Sequence, residues 1–203
     1  MKKPKLLNRK NLNNNLIVLV LFILLFIIQW FLVESFQNLD IAFAASLIYL
    51  PHGLRVLATL IGGGKILPSL FLGHLISGFF IHYVGFNFIL TEMINNISFK
   101  ETLIIILASL GSTYCVILSM YVINFNSKKI ENISLKILFI ISILSSIINS
   151  FFTNSIYYIN DKNWQVGEQF FYYIAGDLVG AFIIFYCLKY LNTYLKHSYG
   201  NNN

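Results

Sequence analysis

Apolar residues are gathered into long runs that short polar segments separate. The runs can be placed at residues 16–33, 41–61, 66–84, 102–123, 137–158 and 169–190. A helix that crosses the hydrocarbon core of a bilayer needs about 20 mainly apolar residues, and each run comes close to that length. The pattern therefore predicts an all-α fold, a polytopic membrane helix bundle of about six transmembrane helices.

Composition supports the same class of protein. Hydrophobic residues make up 57% of the 203-residue chain and charged residues 11%, whereas soluble domains carry about 25% charged residues. We expect a basic N-terminal segment (1–15), a six-helix transmembrane domain (16–190) and a polar tail (191–203). This length leaves no room for a second, soluble domain.

The distribution of charge predicts the orientation in the membrane. With a cytoplasmic N-terminus, most of the 14 Lys and Arg residues fall in inside segments and most of the 8 Asp and Glu residues fall outside. Cytoplasmic loops carry the excess of Lys and Arg in membrane proteins. We therefore expect both termini in the cytoplasm, in a bacterial cytoplasmic (inner) membrane, with the second and third runs joined by a tight turn at residues 62–65.

The second run contains an unusual polar stretch, Tyr49-Leu50-Pro51-His52-Gly53-Leu54-Arg55. Pro51 removes a backbone donor and tends to kink a helix, and Gly53 permits close approach of another backbone or a ligand. Arg55 carries a permanent charge, which is expensive in hydrocarbon and usually marks a functional site or an ion pair.

Other runs bring polar groups to a similar depth, given a helix rise of about 1.5 Å per residue. His74, Asn149 and Asp177 should all lie near the level of Arg55. We take as candidate ligand-binding residues Pro51, His52, Gly53, Arg55, His74, Asn149 and Asp177. By contrast, we expect Gly73, Gly78, Gly176 and Gly180 to serve helix packing, as small residues do in membrane bundles.

Two interpretations of these polar groups remain open. In the first, Arg55 and Asp177 form a structural ion pair, because charges inside membranes usually pair with one another. In the second, they line a polar cavity in which Arg55 holds the anionic group of a small ligand, since its planar fork suits carboxylate or phosphate. Asp177 would then orient the ligand or exchange a proton with it.

Catalytic chemistry is not indicated. The sequence has no nucleophile elbow, P-loop or HExxH zinc motif, and Cys115 and Cys187 lack metal-ligand spacing. We expect no enzymatic activity, no cofactor and no resident metal. The expected partners are the lipid bilayer, a small ligand and a signalling or transport protein, and not nucleic acid.

Short motifs in the chain resemble those of MASE1, an integral-membrane sensory module. They are Leu50-Pro51-His52-Gly53, then Leu67-Pro68-Ser69-Leu70-Phe71-Leu72-Gly73 after a glycine turn, and Gly176-Asp177-Leu178-Val179-Gly180 near the end. The resemblance implies a ligand-sensing bundle whose cavity includes Pro51, Gly53 and Asp177. The chain departs from the family in offering six runs rather than about eight, and we expect a shortened module without an output domain of its own.

The size and six-run layout are also similar to the substrate-binding subunits of energy-coupling-factor transporters. Those proteins bind a vitamin-sized ligand and work with a separate energising complex. Only architecture supports this alternative. A third alternative is a structural membrane subunit with a buried Arg–Asp pair and no ligand.

Overall fold

Helices make up the regular secondary structure of the residues that the computed structural model describes, namely 9–34, 48–80, 99–125, 135–160 and 166–200. The elements are α1 (Arg9–Glu34), α2 (Leu50–Gly62), a 3-10 turn (Gly63–Ile66), α3 (Leu67–Phe79), α4 (Phe99–Val122), α5 (Leu135–Asn160) and α6 (Val166–Gly200). The prediction of an all-α fold is confirmed for these parts of the chain.

Several of these helices have the dimensions of membrane spans. Within the described ranges, 5 segments are long and apolar enough to cross a bilayer: Asn13–Leu32, Leu50–Phe79, Phe99–Val122, Leu135–Ile159 and Val166–Leu191. Large apolar side chains cover their outer faces, as contact with lipid requires. The chain is an integral membrane protein.

The Leu50–Phe79 segment folds back on itself. Arg55 Nη1 and His74 Nε2 lie 3.1 Å apart, whereas a straight helix would separate these positions by about 28 Å along its axis. The reversal occurs at the Gly63–Ile66 turn, where Gly63 has φ 56. Two of the six predicted runs thus form one helical hairpin, α2–α3, which bends close to the predicted turn.

Contacts at several levels establish the relative directions of the helices. Asn15 accepts a hydrogen bond from Ser69 and Phe26 packs on Phe80, so α1 and α3 run in the same direction. Helix α2 begins beside Gly176 and continues past Ala181 and Ile184, which makes α2 and α6 parallel as well.

Besides apolar clusters such as the one around Val56, Leu60 and Val116, the bundle buries many polar side chains, while large apolar side chains cover its exterior. Helix α5 shows this most clearly. Its buried positions recur at intervals of three and four residues and are mostly hydroxyl or amide residues: Ser142, Ser145, Ser146, Asn149, Ser150, Thr153 and Asn154. Its exposed positions include Ile140, Ile143, Ile147 and Phe151.

Helix ends differ from the predicted boundaries at both ends of the chain. Helix α1 begins at Arg9, inside the segment predicted as a polar N-terminal arm. Helix α6 continues to Gly200, through most of the predicted tail. The sequence between Gly180 and Gly200 has neither proline nor glycine to stop it. Residues 41–47 and 81–84 of the predicted second and third runs lie outside the described residues.

Candidate functional site

Arg55 is the centre of a buried polar network. Its side chain is 0% exposed. Nη1 donates to the backbone carbonyl of Ser112 at 3.0 Å and lies 3.1 Å from His74 Nε2. Nη2 donates to Asp177 Oδ2 at 3.3 Å and contacts His52 Nδ1. Both terminal nitrogens of the guanidinium are therefore engaged, by groups from four helices.

Two histidines contact Arg55. His74 Nε2 faces Arg55 Nη1, and because a guanidinium donates hydrogen bonds and cannot accept them, this nitrogen accepts. His74 then carries its proton on Nδ1, which lies 3.3 Å from the Tyr49 hydroxyl oxygen. His52 Nδ1 lies against Arg55 Nη2 and 3.3 Å from Asp177 Oδ2, and its Nε2 lies 3.2 Å from Ser145 Oγ.

Asp177 uses its two oxygens differently. Oδ2 accepts from Arg55 Nη2 and from Asn149 Nδ2, the latter at 2.8 Å. Asn149 is itself oriented by Ser112 Oγ, which donates to its Oδ1 at 2.6 Å. Oδ1 of Asp177 accepts no hydrogen bond from the described residues, although the residue is only 1% exposed. This oxygen is available to a group that enters from the cavity described next.

A cavity of about 140 Å³ lies beside Asp177. It extends towards the end of the bundle where α4 begins and α5 ends. Polar and aromatic groups dominate the described lining, which comprises Tyr49, His74, Ser77, Gly78, Ile105, Ala108, Ser109, Ser112, Asn149, Thr153, Tyr157, Tyr173 and Asp177. The cavity thus combines a largely apolar surface with several polar groups from the bundle interior.

The seven predicted ligand-binding residues divide into three groups. His74, Asn149 and Asp177 line the cavity. Arg55 and His52 join the same hydrogen-bond network but are not among the described lining residues. Five of the residues that the sequence placed at a similar membrane depth therefore lie close together in the structure. The role of each in ligand binding stays a prediction.

Pro51 and Gly53 are not among the described residues that line the cavity. Pro51 lies in the first turn of α2, where proline is tolerated because its missing N–H has no partner in the helix. The expected kink inside a helix is therefore wrong. Gly53 packs on α6, because a Cβ there would come within 2.9 Å of Ala181 Cα and 2.7 Å of Ile184 Cβ.

Three of the four glycines that were predicted to pack helices do so: Gly73, Gly78 and Gly180. A Cβ at Gly73 would lie 2.7 Å from the ring of Phe22, and a Cβ at Gly78 would lie 2.8 Å from Ile105. Gly180 faces the backbone of Tyr49 and Leu50, and a Cβ there would overlap the Tyr49 carbonyl. The close contact of α2 with α6 depends on this last glycine.

Sequence reasoning missed several members of the site. Tyr49, Ser112 and Ser145 hold the network together, and Ser109 and Thr153 present hydroxyl groups to the cavity. A usable signal existed in α4 and α5, where Ser, Thr and Asn recur every three or four residues. In a membrane helix such a stripe faces the interior of the bundle.

No protein family, curated protein or solved structure matches this chain. The resemblance to the MASE1 module stays a prediction that rests on the three short motifs.

Proposed function

We propose that this protein is a MASE1-type membrane module that binds a small ligand in the cavity beside Asp177 and acts through a partner protein. It has six membrane-crossing segments, with the two arms of the α2–α3 hairpin belonging to separate spans. Both termini lie in the cytoplasm of a bacterium, and the cavity lies towards the outer side. Positive residues near the cytoplasmic ends support this orientation.

The observation that carries the proposal is the unused oxygen of Asp177 beside the cavity. Buried polar atoms are nearly always hydrogen-bonded, to protein or to water. Here Oδ1 lacks a donor from the described residues, and Ser109 and Thr153 add hydroxyl groups to the same cavity. Pockets with a few convergent polar groups are the usual form of a small-molecule site.

The position of Asp177 also explains how ligand binding reaches the rest of the molecule. Its carboxylate joins α6 to Arg55 of α2 and to Asn149 of α5. A ligand that draws on Oδ1 changes the hydrogen bonds that Oδ2 makes to both helices. A shift in the packing of α2 and α5 against α6 is the signal that a partner would detect.

A ligand screen with a cavity-filling variant tests this proposal. Purified protein in lipid nanodiscs is heated with a panel of small amines, carboxylates and polyols, and the midpoint of unfolding is recorded. We expect at least one class to raise the midpoint, because binding to the folded state stabilises it. Ser109→Leu fills the cavity and should abolish that rise, whereas Leu110→Ile on the outer face of α4 should retain it. A panel with no stabilising member contradicts the proposal.

A second candidate, the structural subunit, is supported by the contacts of the terminal nitrogens of Arg55. Both of its terminal nitrogens have partners, and the ion pair with Asp177 is buried. The two candidates differ in whether a variant that lacks both charges should keep its function in the cell. If Arg55→Met with Asp177→Leu restores folding and also full function in the cell, the pair is structural and the ligand site is refuted.

The transporter alternative predicts a different biochemistry. A substrate-binding subunit should co-purify with an ATPase module and support accumulation of a labelled solute. A sensory module should alter the activity of a signalling partner without net uptake. Uptake measured in cells that express the wild-type chain or Ser109→Leu separates these alternatives.

A further inference from the structure

The charge that faces the cavity is negative. Asp177 is the one charged side chain among the described lining residues, while Arg55 lies behind it with its terminal nitrogens occupied. His74 also lines the cavity, but its accepting nitrogen faces Arg55 and its Nδ1 faces Tyr49. The sequence favoured an anionic ligand held by Arg55, and the positions of these groups favour the opposite sign.

The ion pair acts on the cavity as a dipole with its negative end inward. Arg55 Nη2 approaches Oδ2 at 3.3 Å, whereas Oδ1 accepts no hydrogen bond from the described residues. A cation that donates to Oδ1 would lie about 2.8 Å from that oxygen, closer than the guanidinium lies to Oδ2. Because Coulomb energy falls with distance, attraction to the carboxylate exceeds repulsion by Arg55. An anion in the cavity would be repelled by the Asp177 carboxylate, which lies nearer to it than Arg55.

The remaining walls suit an ammonium group. Tyr49, Tyr157 and Tyr173 contribute aromatic rings, whose faces attract cations. Ser109 and Thr153 contribute hydroxyl oxygens that can accept hydrogen bonds. An ammonium group has three N–H donors and no acceptor, so a carboxylate oxygen and two hydroxyl groups can satisfy it completely.

Tyr49 adds a requirement for an acceptor on the ligand. Its hydroxyl oxygen accepts from His74 Nδ1, so its own hydrogen is directed to another group. The volume of about 140 Å³ is close to that of a cavity that holds benzene. We propose that the cavity binds a small organic ammonium that also carries a neutral oxygen, as an amino alcohol does. This inference rests on the function proposed above and adds the chemical class of the ligand.

Three solutes of matched size and different charge test the inference. Ethanolamine, ethylene glycol and glycolate share a hydroxyl-bearing two-carbon frame and carry positive, zero and negative charge at neutral pH. We expect ethanolamine to raise the unfolding midpoint of the wild-type protein most, and glycolate least. If glycolate or ethylene glycol stabilises as well as ethanolamine, or if none does, the inference is overturned. Stabilisation by a non-cation leaves the proposed function standing, whereas only failure of the wider ligand panel removes that function.

Variants locate the effect in the cavity. Asp177→Asn should weaken ethanolamine binding about 10- to 100-fold, the usual value of a charge-assisted hydrogen bond. Because that change also leaves Arg55 without its counter-charge, Ser109→Leu provides a second test that spares the ion pair. Tyr173→Phe removes a hydroxyl from a lining residue and should weaken binding, and Tyr186→Phe on the outer face of α6 is the matched control. Unchanged affinity in both Asp177→Asn and Ser109→Leu would place binding elsewhere and refute the site.

A kinetic measurement tests the sign of the cavity potential without any choice of ligand. A cysteine at Thr153 is labelled with a cationic or an anionic methanethiosulfonate reagent, in a background that lacks Cys115 and Cys187. Each rate is divided by the rate for a cysteine at Val166, an exposed position at the same end of the bundle. We expect the cationic reagent to be favoured at Thr153 by about tenfold. Equal ratios, or a preference for the anion, overturn the inference.

Discussion

Tyr49 donates its backbone N–H to the carbonyl oxygen of Gly176, 2.9 Å away. The bond joins the residue before α2 to the middle of α6, and it places the Tyr49 hydroxyl beside His74. Few side chains could fit between backbones this close. The contact therefore depends on Gly180, which faces the backbone of Tyr49 and Leu50.

Gly180→Val should disrupt this contact. A side chain at Gly180 would overlap the Tyr49 carbonyl, and a backbone group cannot yield as a flexible side chain can. We expect a loss of about 2 kcal/mol or more in the free energy of unfolding, measured by denaturant titration in detergent. Gly167→Val is the control on the same helix, because no atom lies within 4 Å of a Cβ there. Equal stability of the two variants would show that the α2–α6 contact tolerates a larger residue.

Alanine substitution in the turn of the hairpin should destabilise the protein at Gly63 and not at Gly64. Gly63 has φ 56 and ψ −147, a conformation that is nearly exclusive to glycine. Gly63→Ala should therefore lower the free energy of unfolding by about 1–3 kcal/mol. Gly64→Ala should have little effect, since Gly64 is not among the positive-φ residues and a Cβ there meets open space. Thermal unfolding of the two variants side by side decides the matter, and equal midpoints would argue against this turn geometry.

Removal of one partner from the buried ion pair should be far worse than removal of both. Arg55→Met leaves the Asp177 carboxylate uncompensated, and loss of one member of a buried pair costs about 3–5 kcal/mol. The double variant Arg55→Met with Asp177→Leu removes both charges and should recover most of that loss. Yield of monodisperse protein and the unfolding midpoint give the comparison. Additive losses in the double variant would mean that the two side chains are not energetically coupled.

Labelling can establish the orientation of α6. Single cysteines at Val166 and Leu191, the two ends of the apolar segment, are introduced in the background without native cysteines. A membrane-impermeant thiol reagent applied to intact cells or spheroplasts should modify the Val166 position and leave the Leu191 position unmodified until lysis. Both positions are exposed in the bundle, so access from one side of the membrane is the variable. The reverse pattern would invert the topology predicted from charge.

The depth of polar groups could be predicted from sequence because the rise of a helix is constant. Residue count alone placed His52, Arg55, His74, Asn149 and Asp177 at one level, and all five share a hydrogen-bond network in the structure. Which of them faces the cavity depends on the rotation of each helix about its own axis. Residue count contains no information about that rotation.

The interpretation of Pro51 shows a second limit. A long apolar run suggests that the proline lies inside a helix, yet residues 48 and 49 are not helical and α2 begins at Leu50. The cause is a tertiary contact, the Tyr49–Gly176 backbone bond, which hydropathy cannot reveal. The polar stripe of α5 was visible in the sequence and would have added Ser145 and Thr153 to the predicted interior.

The uninterrupted course of α6 has a mechanical consequence. From Asp177 the helix continues to Gly200, a length of about 35 Å. If α6 pivots at the contact of Gly53 with Ala181, a tilt of about 5° would move the far end of the helix by about 2.5 Å. Helix α6 can thus act as a lever arm: a small displacement of the helix at Asp177 becomes a larger displacement at its C-terminal end.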